Sequence, residues 1–291
     1  MKPRSHSALR LSVLVLMALF PAVTLHAQAT RIFVASFGND SNDGSRGSPK
    51  RNFQAAHDAV AAGGQIVALD TAGYGKLNIT KSISVTVPPG VNGFITATGI
   101  SDTAVRMADA PSGVVVSLRG LILEGGGTGS GSNRGVTLNG GTLYLDDCII
   151  RNFGSGVEAG FTDNHTVAVV ARNVQVRNCA VGFFINADTN ASVASVLTDC
   201  LFDGCTQYGV LAQSAVNAYH RMTLTRCTAT GNPIGIQSVG QATTVYIDTC
   251  TLSNNGTGVK TTGSGQLLSR GNNTFTNNSA DGAFTGSLAT K

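Results

Sequence analysis

A repeat of 23 to 27 residues runs along this chain from about residue 112 and limits the folds open to it. Segments such as LYLDDCIIRNFGSGVEA and VYIDTCTLSNNGTGVKT align on one shared position, which we number zero. A repeat of this length cannot bury a hydrophobic face alone, so successive repeats must stack into a solenoid. The zero positions are Leu121, Cys148, Val174, Cys200, Cys227, Cys250 and Asn273.

Each repeat contains three short strands. Apolar residues at −5 and −3, and again at 0 and +2, have the spacing of two that a strand with one buried face requires. Position 0 follows position −3 by three residues instead of two. The alternation of inward and outward side chains therefore breaks at −2 and −1. A third strand opens at about +8 with glycine and an apolar residue: Gly156-Val157, Gly182-Phe183, Gly209-Val210, Gly235-Ile236 and Gly258-Val259.

Three strands, one tight bend and two looser loops per repeat predict the coil of a parallel β-helix. Neighbouring coils would stack about 4.8 Å apart, as strands in any sheet do. The composition agrees, because the chain has 36 glycines, no tryptophan and few helix-forming stretches. A leucine-rich repeat is a poor alternative, since no helical segment fits between the strands.

The repeats from about residue 112 to 285 resemble the right-handed parallel β-helix proteins of the pectate-lyase-like superfamily. The N-terminal line RIFVASFGNDSNDG, with the Gln-Ala-Ala segment that follows, resembles the entry segment of secreted β-helix proteins that act on polysaccharides. The resemblance implies an all-β, right-handed parallel β-helix with three-stranded coils of about 22–28 residues and a short N-terminal capping helix. It specifies fold more strongly than function.

The N-terminal line also suggests how the solenoid begins. We expect a strand and capping helix in residues 30–64, followed by the β-helix in residues 65–291. Phe53, Ala56 and Val60 fall on one face of the expected helix. That face would plug the open end of the coil stack, whose free strand edges would otherwise invite pairing.

Residues 1–29 have the pattern of a signal peptide. Lys2, Arg4 and Arg10 form a basic region, LSVLVLMALF is an apolar core too short to span a bilayer, and Ala27-Gln28-Ala29 is an A-x-A cleavage site. We therefore expect export to the periplasm or the extracellular space. No second apolar stretch is long enough for membrane insertion.

The charge of the remaining chain argues against nucleic acid or an anionic membrane surface as a partner. Without the leader, 17 basic and 16 acidic residues remain, a net charge of +1. A nearly neutral chain lacks the basic footprint of a nucleic-acid-binding or membrane-surface protein. Nucleic acid is therefore not an expected partner.

Two adjacent carboxylates, Asp146 and Asp147, resemble part of a catalytic or metal site but fall on the break between two strands. Position −1 is mostly Gly, Asn or Asp, residues that tolerate turn geometry, and this favours a bend. The GNDSNDG segment resembles a calcium loop, yet its spacing does not match an EF-hand, and a turn beside the cap is preferred. No metal or other cofactor is predicted, although calcium is left open.

The cysteines follow the repeat. Four of the six occupy position zero and should form an inward column of free thiols. Cys179 and Cys205 both stand at +5, where a disulfide and two free thiols are equally compatible with an exported protein. Position +5 becomes Asn232, Asn255 and Asn278 further along the chain, which predicts an asparagine ladder.

The spacing between the third strand and the next zero position points to a site. It rises to 17 residues in three central repeats, which predicts enlarged loops there. The resemblance implies that substrate clefts lie over the third strand, between such loops. The candidate catalytic residues are Glu158, Asp163, His165 and His220. The candidate substrate-binding residues are Arg151, Arg177, Phe184, Tyr219 and Lys260.

These residue types suit a carbohydrate site. An aromatic ring can stack on a sugar while polar groups bind its hydroxyls. A hydrolase needs two carboxylates, for which Glu158 and Asp163 are the nearest pair, and a lyase needs a base and a group that neutralises a uronate. The leading hypothesis is an exported protein that binds, and in one version cleaves, an extracellular polysaccharide. The alternative is a non-catalytic structural or protein-interaction β-helix of the cell envelope.

Overall fold

The computed structural model describes residues 29–107, 113–127, 133–161 and 164–288, and within these ranges the chain forms 28 strands and one short helix. The helix, α1, spans Phe53–Ala59. The first strands are Ala29–Val34 (β1), Val60–Ala68 (β2), Ala72–Gly73 (β3), Leu77–Asn78 (β4), Ile83–Thr86 (β5), Gly93–Ala97 (β6), Thr103–Met107 (β7), Val115–Arg119 (β8) and Leu121–Gly125 (β9). The central strands are Arg134–Leu138 (β10), Gly141–Asp146 (β11), Ile149–Arg151 (β12), Ser155–Ala159 (β13), Thr166–Arg172 (β14), Gln175–Arg177 (β15), Val181–Ala187 (β16), Ser192–Thr198 (β17), Leu201–Asp203 (β18) and Tyr208–Ser214 (β19). The last strands are Tyr219–Thr225 (β20), Thr228–Thr230 (β21), Ile234–Val239 (β22), Thr243–Asp248 (β23), Thr251–Ser253 (β24), Thr257–Thr262 (β25), Gln266–Ser269 (β26), Thr274–Thr276 (β27) and Gly286–Ser287 (β28).

The strands form three parallel sheets, and each turn of the chain contributes one strand to each. The first sheet has the order β1-β2-β5-β8-β11-β14-β17-β20-β23-β26-β28. The second has the order β3-β6-β9-β12-β15-β18-β21-β24-β27, and the third β4-β7-β10-β13-β16-β19-β22-β25. This is the predicted right-handed parallel β-helix with three-stranded coils, so the predicted fold class is confirmed.

The interior is filled by side chains that alternate inward along every strand. In β14, Val167, Val169 and Ala171 are buried while the residues between them are not. Equivalent inward residues stack from coil to coil, because the strands pair in register. The resulting core is one continuous apolar column along the solenoid axis.

The bend between the first and second strands of each coil has left-handed backbone geometry. Asp147 has φ 55°, and the equivalent residues share the conformation even where they are Arg226 (φ 51°) or the β-branched Thr249 (φ 54°). Such residues cost free energy in this region, so the stacked strands on both sides must hold them there. The prediction that Asp146 and Asp147 mark a bend is therefore confirmed for Asp147.

A buried asparagine ladder stabilises the next corner. The backbone N–H of Asn232 donates to Asn255 Oδ1 at 3.0 Å, and that of Asn255 donates to Asn278 Oδ1 at 2.9 Å. Each Nδ2 also donates to a backbone carbonyl, as Asn255 does to Ala229 at 2.9 Å. The side chains thus satisfy backbone groups that the turn leaves unpaired. The predicted ladder is confirmed.

The N-terminal end of the core is covered by α1. Phe53, Ala56 and Val60 are buried, as the helical pattern predicted, and the ring of Tyr74 lies 4.9 Å from that of Phe53. The GNDSNDG segment beside the helix is folded around Lys50, whose Nζ donates to the carbonyl oxygens of Asp40 (2.9 Å) and Asn42 (2.7 Å). An ammonium group therefore occupies the centre of a loop that resembles a calcium loop in sequence.

Candidate functional site

The outer face of the third sheet carries one continuous row of side chains along the solenoid. From β10 to β25, the second residue of each third strand is a buried glycine, as at Gly156, where an added Cβ would lie 2.5 Å from the carbonyl oxygen of Gly182. Two residues later, each strand presents one side chain outward. The register places these side chains in the order Asn78, Arg106, Thr137, Glu158, Phe184, Leu211, Gln237 and Lys260. We call this set the third-sheet row.

The N-terminal part of this face is charged. Lys76 Nζ lies 2.9 Å from Asp102 Oδ1, and both line a cavity of about 240 Å³ together with Arg106. The hydrogen bond from Lys76 holds the pKa of the Asp102 carboxyl below its usual value. The carboxylate therefore stays ionised at neutral pH and keeps the Lys76 ammonium over the sheet.

Arg134 and Glu158 form an ion pair on the same face. Arg134 Nε lies 2.6 Å from Glu158 Oε1, and the Glu158 side chain is only 15% exposed. The Arg134 guanidinium donates to the Glu158 carboxylate, whose oxygens have room to accept further hydrogen bonds. Glu158 is therefore suited to binding the hydroxyl groups of a ligand.

The central part of the face is aromatic. Phe184 is half-buried, and the ring of Phe161 packs edge-on against it with the centroids 4.6 Å apart. Leu211, the next residue in the row, is 8% exposed. Two amide oxygens close by, Asn186 Oδ1 and Gln237 Oε1, are buried and accept no hydrogen bond from the described residues. Aromatic side chains are a common lining of ligand sites, and Phe161 and Phe184 supply them here.

The turns after the third sheet are shorter than predicted. Only Asp188 to Ala191 connect β16 to β17, and only Ala215 to Ala218 connect β19 to β20. The extra residues lengthen the strands instead, since β14, β16, β17, β19 and β20 each have seven residues. The expectation of enlarged loops in these two coils was therefore wrong. Spacing alone cannot distinguish a longer loop from two longer strands.

The three candidate catalytic residues that the structure describes, Glu158, His165 and His220, do not share one environment. Asp163 lies outside the described residues, so its pairing with Glu158 stays a prediction. His165 is exposed at the turn before β14. The strand order β14-β17-β20 places His220 two coils away from it. Of the three, Glu158 alone belongs to the third-sheet row.

His220 is not on a loop, which corrects the sequence-based expectation. It is the second residue of β20 and is fully buried, with its backbone N–H donating to the carbonyl of Ala242 at 3.0 Å. Burial lowers its pKa to about 4. The alternation of Leu224 and Met222 continues to His220, because inward residues recur every second position. A residue inside the core cannot contact a ligand on the surface.

The other candidate binding residues are distributed over all three sheets. Arg151 and Arg177 pair in register on the second sheet, where Arg151 forms an ion pair with Glu124. Tyr219 opens β20 on the first sheet, and the Arg221 guanidinium lies 4.7 Å from the centroid of its ring. Phe184 and Lys260 are in the third-sheet row. The structure thus brings two of the five binding candidates onto one face.

Several residues of this face were missed in the sequence. Lys76, Asp102 and Arg106 lie in early coils, where the repeat is too irregular to align by eye. Phe161 follows β13 and is placed by the fold of its turn, for which no repeat exists. Arg106 could have been found by extending the outward position back through the sheet register.

Within the described ranges, no group of three or more His, Cys, Asp or Glu side chains is arranged to hold a metal ion. No helix in the same part of the chain has the length and hydropathy needed to cross a bilayer.

Comparison with known proteins places the fold. The family model for the right-handed beta helix region matches residues 134–290, more than half of the chain. Among solved structures, a pectate lyase, Pel9A, matches with a TM-score of 0.50 and 17% identity over 89% of this chain and 78% of that one. A rhamnogalacturonan lyase matches with a TM-score of 0.39 and 14% identity, over 82% of this chain and 67% of that one. The native GH136 lacto-N-biosidase from Eubacterium ramulus matches with a TM-score of 0.44 and 12% identity, over 90% of this chain and 67% of that one.

At these identities the structural matches show the fold alone. Among curated protein sequences, none matches the chain significantly. The family match covers the coils from β10 onward, which include the aromatic part of the third-sheet row. The likeness to pectate-lyase-like proteins seen in the repeats is thereby confirmed, and the chain belongs to the right-handed β-helix family.

Proposed function

We propose that this protein is exported and binds a polysaccharide along the outer face of the third sheet. The observation that carries the proposal is the Phe161–Phe184 pair, an aromatic surface in the middle of the third-sheet row. Sugar rings stack on aromatic faces, and the Glu158 carboxylate, next to Phe184 in the row, can accept hydrogen bonds from hydroxyl groups. Export rests on the basic, apolar and A-x-A pattern of residues 1–29.

The polar flanks of the aromatic surface would orient the chain of sugars. On one side stands the Arg134–Glu158 ion pair, and beyond it Arg106 and the Lys76–Asp102 pair. On the other side stand Gln237 and Lys260, consecutive in the row. A row of eight coils at about 4.8 Å per step is about 34 Å long, enough for an oligosaccharide rather than a single sugar. The pectate lyase likeness makes polysaccharides the first class of ligand to test.

Binding is better supported than cleavage. Glu158 is the one carboxylate in the described part of the third-sheet row, and it is paired with Arg134. A glycoside hydrolase of the usual kind needs a second carboxyl group on the other side of the bond. The proposed role of Glu158 is therefore to accept hydrogen bonds from the ligand.

The test compares two phenylalanine variants on a polysaccharide panel. Phe184→Ala should weaken binding at least about tenfold, because it removes the central ring of the site. Phe37→Ala is the matched control, since Phe37 is 72% exposed and lies outside the third sheet. Affinity electrophoresis and calorimetry would measure binding, and thermal melts would confirm that both variants are folded.

Two results would contradict the proposal. One is the absence of wild-type binding to every polysaccharide tested, and the other is equal binding by the wild type and Phe184→Ala. Cleavage is followed in parallel through reducing ends and through the ultraviolet absorbance of unsaturated uronates. A signal in either assay that Glu158→Gln abolishes would assign Glu158 a catalytic role instead of a binding role.

A further inference from the structure

The outer face of the first sheet carries an apolar strip that nothing in the described chain covers. Its central row runs in register as Ser117, Tyr144, Val170, Val196, Thr223 and Tyr246. Tyr144 and Val196 are 40% and 43% exposed. A neighbouring row, two residues earlier on each strand, contains Val115, Thr142, Ala168, Ala194, Arg221 and Thr244. Contiguous exposed apolar surface of this kind marks an interaction site.

A third row borders the strip and carries its charges. It consists of Arg119, Asp146, Arg172, Thr198, Thr225 and Asp248, two residues after the central row on each strand. Basic and acidic groups occupy opposite ends, with Arg119 on β8 and Asp248 on β23. The strip is therefore apolar along its centre and polarised along one border.

We propose that this face binds a second copy of the chain, forming a two-fold symmetric dimer in which the two first sheets pack face to face. An isologous contact requires that the same patch complement itself. A two-fold axis along the strand direction, midway between β14 and β17, meets this requirement. It sets β8 against β23, β11 against β20, and β14 against β17 of the other copy.

With this axis, the side chains that face each other across the interface are complementary in size. Val170 faces Val196 of the second copy, and Ala168 faces its Ala194. Each tyrosine of the central row faces a small polar residue, because Tyr144 meets Thr223 and Tyr246 meets Ser117. Large side chains thus stand opposite small ones, as two interlocking sheet faces require.

With the same axis, the charged side chains that face each other across the interface have complementary charges. Arg119 faces Asp248 of the second copy, while Asp146 and Arg172 face threonines. Arg221 also faces a threonine, Thr142, so no like charges meet. The alternative two-fold axis, along the solenoid, would set the charged border against the alanine row. Complementary charge therefore selects one of the two arrangements.

The size of the strip suits a dimer. Six coils at about 4.8 Å and three outward residues at about 6.6 Å spacing give about 600 Å² per copy. The two copies would bury about 1,200 Å², which is at the lower edge of stable interfaces. The dimer should consequently dissociate on dilution. It would leave the third-sheet row of both copies exposed.

Light scattering after size exclusion, over a range of protein concentrations, measures the mass of the purified protein. The wild type should reach twice the mass of one chain, and Val196→Glu should weaken association at least about tenfold. Val216→Glu is the matched control, because Val216 is 76% exposed on a turn outside the strip. It should associate like the wild type.

A charge exchange tests the proposed axis. Arg119→Asp and Asp248→Arg should each weaken the dimer, and the double variant should restore it to within about threefold of the wild type. Arg119 and Asp248 form partly exposed ion pairs with Asp147 and Arg270 of their own chain, and exposed pairs contribute about 1 kcal/mol or less, so the fold should tolerate the changes. Circular dichroism melts would verify this.

Three results would overturn the proposal. The first is a wild type that stays monomeric at every concentration. The second is a dimer that Val196→Glu does not weaken, or that the double charge exchange fails to restore. The third is a monomer that adsorbs to an insoluble polysaccharide and loses this adsorption on Tyr144→Ala, which would assign the face to a glycan.

Discussion

His220 Nδ1 lies 3.0 Å from the backbone carbonyl oxygen of Gln213, inside the corner where β19 turns toward β20. A carbonyl can only accept, so Nδ1 carries the proton and the neutral ring presents Nε2 as an acceptor. Nε2 is buried and has no partner among the described residues. Burial therefore opposes a second proton, which lowers the pKa of His220 to about 4.

We predict that His220 makes the protein less stable in mild acid. The pKa of an unfolded histidine is about 6.5, so the unfolded chain takes up a proton between about pH 6.5 and 4 while the native ring does not. The contribution of His220 is fully present above pH 6.5 and declines as the pH falls to about 4. The loss amounts to about 3 kcal/mol. Denaturant unfolding at pH 7, 5.5 and 4 would measure it.

Two glutamine variants isolate this effect. His220→Gln keeps a side-chain donor within reach of the Gln213 carbonyl but removes the titrating group, so its stability should fall less between pH 7 and 4. His165→Gln changes an exposed histidine and should keep the wild-type pH dependence. An identical pH dependence in the wild type and His220→Gln would contradict the prediction.

Lys50 stabilises the turn that precedes the capping helix. Its side chain is among the buried charged groups, and its ammonium donates to the carbonyl oxygens of Asp40 and Asn42. Lys50→Met would leave both carbonyls without this donor, at a cost of about 2–4 kcal/mol in the free energy of unfolding. Thermal or denaturant unfolding would measure the difference.

Lys76→Met is the control for the Lys50 variant. Lys76 makes one ion pair, with Asp102, and its side chain is 54% exposed. Exposed pairs contribute about 1 kcal/mol or less, so this variant should remain close to the wild type. Equal stability of the two variants would show that the Lys50 ammonium does not hold the turn.

The structural position of a residue can be predicted from the sequence when that residue belongs to the repeat. The bend at Asp147, the ladder through Asn255 and the inward column at Cys148 could be predicted, because each follows from one alignment of the coils. The burial of His220 could also have been predicted, had the alternation of Leu224 and Met222 been continued by one step. Residues that recur from coil to coil are thus predictable from pattern alone.

The candidate site was predicted less well, because a site depends on departures from the repeat. The ring of Phe161 reaches Phe184 through a turn whose path no pattern encodes. The extra residues around Asp188 were expected to form a loop and instead extend β16 and β17. Strand extension there is stabilised by pairing with neighbouring coils, which a count of residues between two positions does not reveal.

The thiols of the native protein should be unreactive. All six cysteines are buried and free. Burial raises the pKa of Cys148 and Cys179 to about 12 and that of Cys205 to about 11, and the thiolate is the reactive form. Hydrogen bonding with Cys227 lowers the pKa of Cys200 and Cys250, but both side chains are buried and out of reach of a reagent. We therefore expect no labelling by a thiol reagent in the folded state at pH 8, and labelling of all six after unfolding in denaturant without a reductant.

Val216→Cys, on an exposed turn, should add one thiol that reacts in the folded state and serves as the positive control. Only four reactive thiols after unfolding would instead indicate one disulfide, for which the sequence leaves Cys179 and Cys205 as the candidate pair.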